Sequence, residues 1–120
     1  MHELSIAQNI LDIVRESVPS EELSGVRLVK LRLGDLAGVV PDSLEFSFTV
    51  LTTDTPLRDA RLHIEHVPFL VMCNICRKTF TNDIGFVLCP TCGGAETKIL
   101  SGTELQVVEI ELEDIKAEAP

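Results

Sequence analysis

Residues 73–92 read Cys-Asn-Ile-Cys-Arg-Lys-Thr-Phe-Thr-Asn-Asp-Ile-Gly-Phe-Val-Leu-Cys-Pro-Thr-Cys. The stretch opens and closes on a Cys-x-x-Cys knuckle, with twelve residues between the two. A two-residue gap lets both thiolates of a knuckle reach one ion from a tight turn. Two knuckles supply four sulfurs, which suits a closed tetrahedral zinc site. Cys73, Cys76, Cys89 and Cys92 are all the cysteines of the chain. A site that uses every thiol has no open coordination position, so it builds structure and does not catalyse. Function must then lie elsewhere in the chain.

The rival metal is iron. Rubredoxin-like electron carriers use the same paired knuckles, usually among several aromatics, and this stretch has only Phe80 and Phe86. A zinc ribbon that only binds protein, as an adaptor, is a further reading of the same ligands. Gly93 after the second knuckle lets backbone N–H groups turn toward sulfur, and Arg77 stands in the corresponding place of the first. Arg77 and Lys78 either offset the negative charge of a tetrathiolate or form a solvated face.

Charge separates this stretch from its flanks. Residues 70–100 balance to +1 in a chain of net charge −9, leaving −10 on the rest. Such a break predicts a distinct lobe at 70–100, inserted into a body made of residues 1–69 and completed by 101–120. With 120 residues, 45% of them hydrophobic, the chain has enough apolar material for one ordinary body plus a metal-stapled lobe. The acidic balance and the absence of Trp and Tyr argue against nucleic acid as a partner. No apolar run approaches the ~18 residues of a membrane span, and the start lacks a signal-peptide pattern. A cytoplasmic location is therefore expected, where paired knuckles are read as metal ligands and not as disulfides.

On the N-terminal side, Leu4, Ala7, Leu11, Val14 and Val18 repeat at helical spacing and predict a helix over 4–18. Residues 26–33 alternate, with Val29, Leu31 and Leu33 on one face and Lys30 and Arg32 on the other, and predict a strand stopped by Gly34. A second helix is expected from Pro41, with Asp42 as its cap and Leu44, Phe48 and Leu51 as its buried stripe. Alternation over 60–67 predicts a second strand that ends at Pro68, and alternation over 103–112 a third. The fold class is α+β: a three-stranded sheet covered by two helices, with an inserted zinc-ribbon-like lobe. His63 and His66 are read as ordinary strand residues, three apart and so on opposite faces, although His66 could approach the lobe's metal.

The chain begins Met1-His2-Glu3. The Met1 amine, the His2 amide and the His2 imidazole Nδ1 are three nitrogens that close a five-membered and a six-membered chelate ring. The Glu3 amide, or a donor from elsewhere, would fill a fourth corner. Deprotonated amides favour planar coordination, which Ni(II) and Cu(II) gain from and zinc does not. The bulk of His2 is expected to protect Met1 from removal. Read alone, the same three residues also make a plain helix start with an acidic first turn.

Met1-His2-Glu3-Leu4-Ser5 opening a helix, together with Cys73-x-x-Cys76 and Cys89-Pro90-x-Cys92-Gly93, resembles the HypA/HybF family of hydrogenase nickel-insertion accessory proteins. The resemblance extends over essentially the whole chain, including Gly34, Pro68 and the Gly102-Thr103-Glu104-Leu105 return. It implies a metallochaperone and not an enzyme. It implies Ni(II), as transported cargo, at His2 with Met1 and Glu3 beside it, and structural Zn(II) at Cys73, Cys76, Cys89 and Cys92. It also implies two partners: a nickel-handling HypB-type GTPase and the large subunit of [NiFe]-hydrogenase. Some members of the family also serve urease. Arg77 departs from the glycine common in its place.

Overall fold

The computed structural model describes residues 2–113. The apolar spacing near the start of the chain becomes α1 (Glu3–Ser17), which buries Ile6, Ala7, Ile10, Leu11 and Val14. Residues three and four apart share one side of a helix, and these five make a continuous apolar stripe. The helix ends where Val18 turns extended just ahead of Pro19, its N–H still bonded to the Val14 carbonyl at 3.0 Å. A 3-10 turn (Ser20–Gly25) leads into β1 (Val26–Gly34).

The second helix, α2, runs Pro41–Thr52. The expected Asp42 cap is not the one observed. Val40 is the N-cap residue and Pro41 the first helical residue, so Asp42 falls inside the first turn. The reason lies in proline: its fixed φ is already helical, it has no N–H to satisfy, and it forces the preceding residue to be extended. Val40 is accordingly extended (φ −85°, ψ 112°). Asp42 still complements the positive end of the helix dipole.

The remaining strands are β2 (Arg61–Val67), β3 (Leu70–Cys73), β4 (Thr79–Phe80), β5 (Thr97–Ser101) and β6 (Leu105–Leu112). They form two three-stranded sheets, ordered β2-β1-β6 and β4-β3-β5. The α+β plan read from the sequence is the one observed. The lobe carries a small sheet of its own, which the sequence reading did not anticipate. Among the described residues no helix is long and apolar enough to cross a membrane.

The chain divides into two compact units. The first comprises the described parts of Met1–Leu31, Val39–Ile64 and Val107–Pro120. Here α1 and α2 pack on each other. Their apolar faces join Val26, Val29, Leu31 and Leu62 of the sheet in a single core, with Leu44 and Phe48 the buried residues of α2. Val107 and Ile110 are the β6 residues packed against that core, partly buried. They are three apart, so the alternation read over 103–112 breaks between them, and Leu105 is exposed.

The second unit comprises Arg32–Gly38 and Glu65–Gln106. In its sheet β3 pairs antiparallel with β4 (Val71 opposite Phe80) and with β5 (Cys73 opposite Thr97), with an irregularity between Leu70 and Val71. Gly34 and Gly102 meet backbone to backbone: a Cβ on Gly34 would overlap the Gly102 carbonyl, and a Cβ on Gly102 would overlap Phe69 Cα. The approach is sealed by Gly34 N–H to Glu104 O and Leu36 N–H to Gly102 O, both 2.8 Å. Gly102 also has φ +110°, a conformation side chains rarely adopt.

Candidate metal centres

β3 delivers Cys73 at its last residue, and the chain turns at once through Cys76. The Cys73 N–H bonds to the Lys78 carbonyl (2.9 Å) and the Arg77 N–H bonds back to the Cys73 carbonyl (2.9 Å). The second knuckle repeats this pattern. The Cys89 N–H bonds to the Gly94 carbonyl (3.0 Å) and the Gly93 N–H to the Cys89 carbonyl (2.8 Å). Both loops require a left-handed residue just after the second cysteine, with φ +66° at Arg77 and +73° at Gly93. The first knuckle therefore keeps the geometry of the second despite lacking the glycine, at the cost of a strained arginine.

The four sulfurs converge. Sγ of Cys73 lies 3.6 Å from that of Cys92, and Sγ of Cys76 lies 3.6 Å from that of Cys89. All four ligand atoms fall within 4.8 Å of one another. A tetrahedron with metal–sulfur bonds of about 2.3 Å has edges of about 3.8 Å, so the spacing suits zinc. Cys73 and Cys89 are buried, Cys76 half-buried and Cys92 exposed.

The knuckle turns aim backbone N–H groups at sulfur, and the thiols respond. The Cys92 N–H, with that of Thr91, pulls Cys89 from its ordinary value near 9 down to about 6. Cys73 is pulled down in the same way by the N–H groups of Cys76 and Ile75. Cys92 accepts from the Gly94 N–H, which lowers it, yet the crowding of Cys73, Cys89 and Cys76 and its desolvation push it up to about 11. Three neighbouring sulfurs make the last ionisation unfavourable, and a divalent cation among them would reverse that.

Among the described residues these four cysteines are the only group of three or more His, Cys, Asp or Glu side chains that could hold an ion. His66 does not join them: its Nδ1 lies 3.6 Å from Asp35 Oδ1. His63 is exposed on β2.

At the other candidate site, Met1 lies outside the described residues. His2 is exposed and extended (φ −89°, ψ 122°), and no side chain caps the helix from this position. Its carbonyl accepts the Ile6 N–H at 3.2 Å. The amides of His2 and Glu3 precede the first intrahelical acceptor and are free to change partner. The Glu3 carboxylate is already engaged, since its Oε2 accepts the Val40 N–H at 3.2 Å. That N–H foremost, with Glu3's own N–H and the Ser43 hydroxyl, holds the carboxyl below the ordinary carboxylate range. Glu3 thus serves the start of α2 through its side chain. Sequence reasoning missed this contact, because the partners are 37 positions apart.

The family model described as "Hydrogenase/urease nickel incorporation, metallochaperone, hypA" matches residues 1–112. "Hydrogenase maturation factor HypA" of Roseiflexus sp. (strain RS-1) is 42% identical, covering 99% of this chain and 98% of that protein. The protein of the same name from Geobacter metallireducens is 44% identical, over 94% of this chain and all of its own length. The solution structure of the Ni metallochaperone HypA from Helicobacter pylori superposes with a TM-score of 0.64 at 19% identity, over 94% of this chain and 98% of that one. At that identity the likeness speaks for the fold.

Proposed function

Because the chain belongs to the HypA family of nickel-incorporation metallochaperones for hydrogenase and urease maturation, we propose that it carries Ni(II) on Met1-His2-Glu3. It hands the ion to the [NiFe]-hydrogenase large subunit together with a HypB-type GTPase. Cys73, Cys76, Cys89 and Cys92 hold a structural zinc. The chain acts in the cytoplasm as a carrier and not as a catalyst, with residues 70–100 as its zinc-binding lobe.

The observation that supports this reading best is a division of labour. The four sulfurs close on themselves, while His2 stands exposed at a helix start. A bound zinc would contribute folding free energy to a lobe with few buried apolar side chains. The exposed end has the opposite properties. It has few walls, so a receiver can approach, and its donors are backbone nitrogens that need to lose protons to bind. Its grip on the ion therefore loosens as acidity rises. The Glu3 carboxylate, held by Val40, anchors residue 3 beside the donor nitrogens of His2.

The decisive experiment is a nickel titration of untagged protein, following the absorption of a planar nitrogen site. One equivalent is expected to bind. His2→Ala is expected to abolish that binding and leave zinc content and far-UV circular dichroism unchanged. Residues fused ahead of Met1 are expected to weaken it strongly, because the free amine is lost. Stoichiometric nickel uptake by His2→Ala would refute the assignment. Elemental analysis of the same protein should give one zinc and no iron.

A further inference from the structure

The first sheet is ordered β2-β1-β6, so β6 lies at its edge, with no strand beyond it among the described residues. The Glu113 N–H bonds inward to the Gly25 carbonyl, just ahead of β1, at 2.7 Å. Backbone groups of an edge strand point alternately to its paired and its free side. The N–H and C=O of Leu112 and Ile110 therefore face outward. Beside this open edge runs a groove of about 320 Å³, walled by Ile13 and Ser17 of α1, by Val18 just past it, and by Val108, Ile110 and Leu112 of β6. Ile13, Val108 and Leu112 are 43%, 39% and 40% exposed.

Residues two apart share one face of a strand. Val108, Ile110 and Leu112 turn one way, toward the groove, and Glu109, Glu111 and Glu113 the other. All three glutamates are exposed. Glu113 is paired with Arg27 at 2.8 Å. Glu109 foremost, with desolvation, holds the Glu111 carboxyl above the ordinary carboxylate range, while Lys30 and His63 act the other way. The edge thus combines backbone partners, an apolar slot on one face and crowded carboxylates on the other.

We propose that the free edge of β6 is a docking site for an extended peptide segment of another protein, one that alternates apolar residues with Lys or Arg and joins the sheet as a fourth strand. Its backbone takes the outward N–H and C=O groups of Ile110 and Leu112. Its apolar residues enter the groove, and its cations lie against Glu109 and Glu111. A second copy of this chain suits the edge poorly. Two β6 strands meeting antiparallel about Ile110 set Glu109 of each against Glu111 of the other, and like charges directly opposite destabilise a pair. Neither metal centre takes part, so this site and the carrier function fail independently.

The test uses full-length, untagged protein and a capped, fluorescently labelled heptapeptide, Lys-Val-Lys-Val-Lys-Val-Lys, followed by anisotropy. Saturable binding is expected, with slower amide hydrogen exchange at Ile110 and Leu112 in the complex. The same residues in the order Lys-Lys-Val-Val-Val-Lys-Lys are expected to bind about tenfold more weakly, because the alternation is lost. Glu109→Lys/Glu111→Lys is expected to lose about tenfold in affinity for the first peptide and to gain as much for Glu-Val-Glu-Val-Glu-Val-Glu. Ile13→Lys, in the groove wall, is expected to weaken the first peptide about tenfold, with nickel stoichiometry, zinc content and far-UV circular dichroism unchanged. No saturable binding by the parent, equal binding of the two lysine peptides, or unchanged exchange at both amides overturns the inference. A parent dimer that Ile13→Lys turns into a monomer, by sedimentation, assigns the edge to a second copy and also overturns it. Tighter peptide binding by Ile115→Ser assigns the groove to the chain's own tail and does the same.

Discussion

The two knuckles are matched in backbone and unmatched in sequence, and the mismatch has a measurable cost. Arg77 and Gly93 occupy equivalent places at φ +66° and +73°. A residue with a Cβ pays about 1–2 kcal/mol for this conformation. Glycine avoids that cost but gives up about 0.4–1 kcal/mol in the freedom of the unfolded chain. The difference is about 1 kcal/mol in favour of glycine, or about fivefold in an equilibrium constant. At Gly93 the comparison is clean, because a Cβ there would have nothing within 4 Å, so Gly93→Ala is charged for conformation alone. At position 77 the charge must be separated from the strain. Arg77→Ala removes the guanidinium and keeps the left-handed cost, and Arg77→Gly removes both. Metal binding to such a lobe is coupled to its folding, so strain is read as affinity. Competition for zinc against a chromogenic chelator is expected to show Gly93→Ala about fivefold weaker than the parent. It should show Arg77→Gly about fivefold tighter than Arg77→Ala. Gly93→Ala indistinguishable from the parent, or Arg77→Gly weaker than Arg77→Ala, would refute the equivalence of the two turns.

Gly102→Ala meets Phe69 and Gly34→Ala meets Gly102; either is expected to cost about 3 kcal/mol or more, read as a fall in the urea midpoint. Phe48→Ala, in the buried core of the first unit, is expected to cost about 3–5 kcal/mol, seen as a lower melting temperature with zinc content unchanged. Acid acts on the sulfurs with a definite sign. Cys89 is depressed from near 9 to about 6, so its contribution to the stability of metal-free protein is complete above 9 and is lost as pH falls through 6. Cys92, raised to about 11, contributes below 9 and loses that contribution as pH rises through 11. Chemical unfolding of metal-free protein across this range should therefore weaken at both ends, and a profile flat from pH 9 down to 6 would contradict the Cys89 assignment.

The parts legible in the sequence were those set by repetition or by counted ligands. Five apolar residues at helical spacing gave α1, which begins one residue earlier than expected. Val29 and Leu31 gave the buried face of β1. Leu33, on the same face, belongs with the second unit, a division that alternation alone does not mark. The convergence of the four cysteines followed from spacing, because a two-residue gap leaves little freedom. What was not legible depended on distant partners or on very short elements. β4 has only two residues, too few for any period to register. Asp42 looked like a cap because a carboxylate before an apolar run usually is one; Pro41 had already set the start of the helix. The Glu3 clasp depends on α2 folding back beside α1 and leaves no local trace. Arg77 was visible as a departure, but only the structure shows that the turn bends the arginine and not the reverse.

Every sulfhydryl of this chain sits in one place. A thiol-modifying dye therefore has a single target, without background from stray cysteines. The rate at which it reacts becomes a stopwatch for the opening of that one corner of the molecule, while the rest of the protein stays silent.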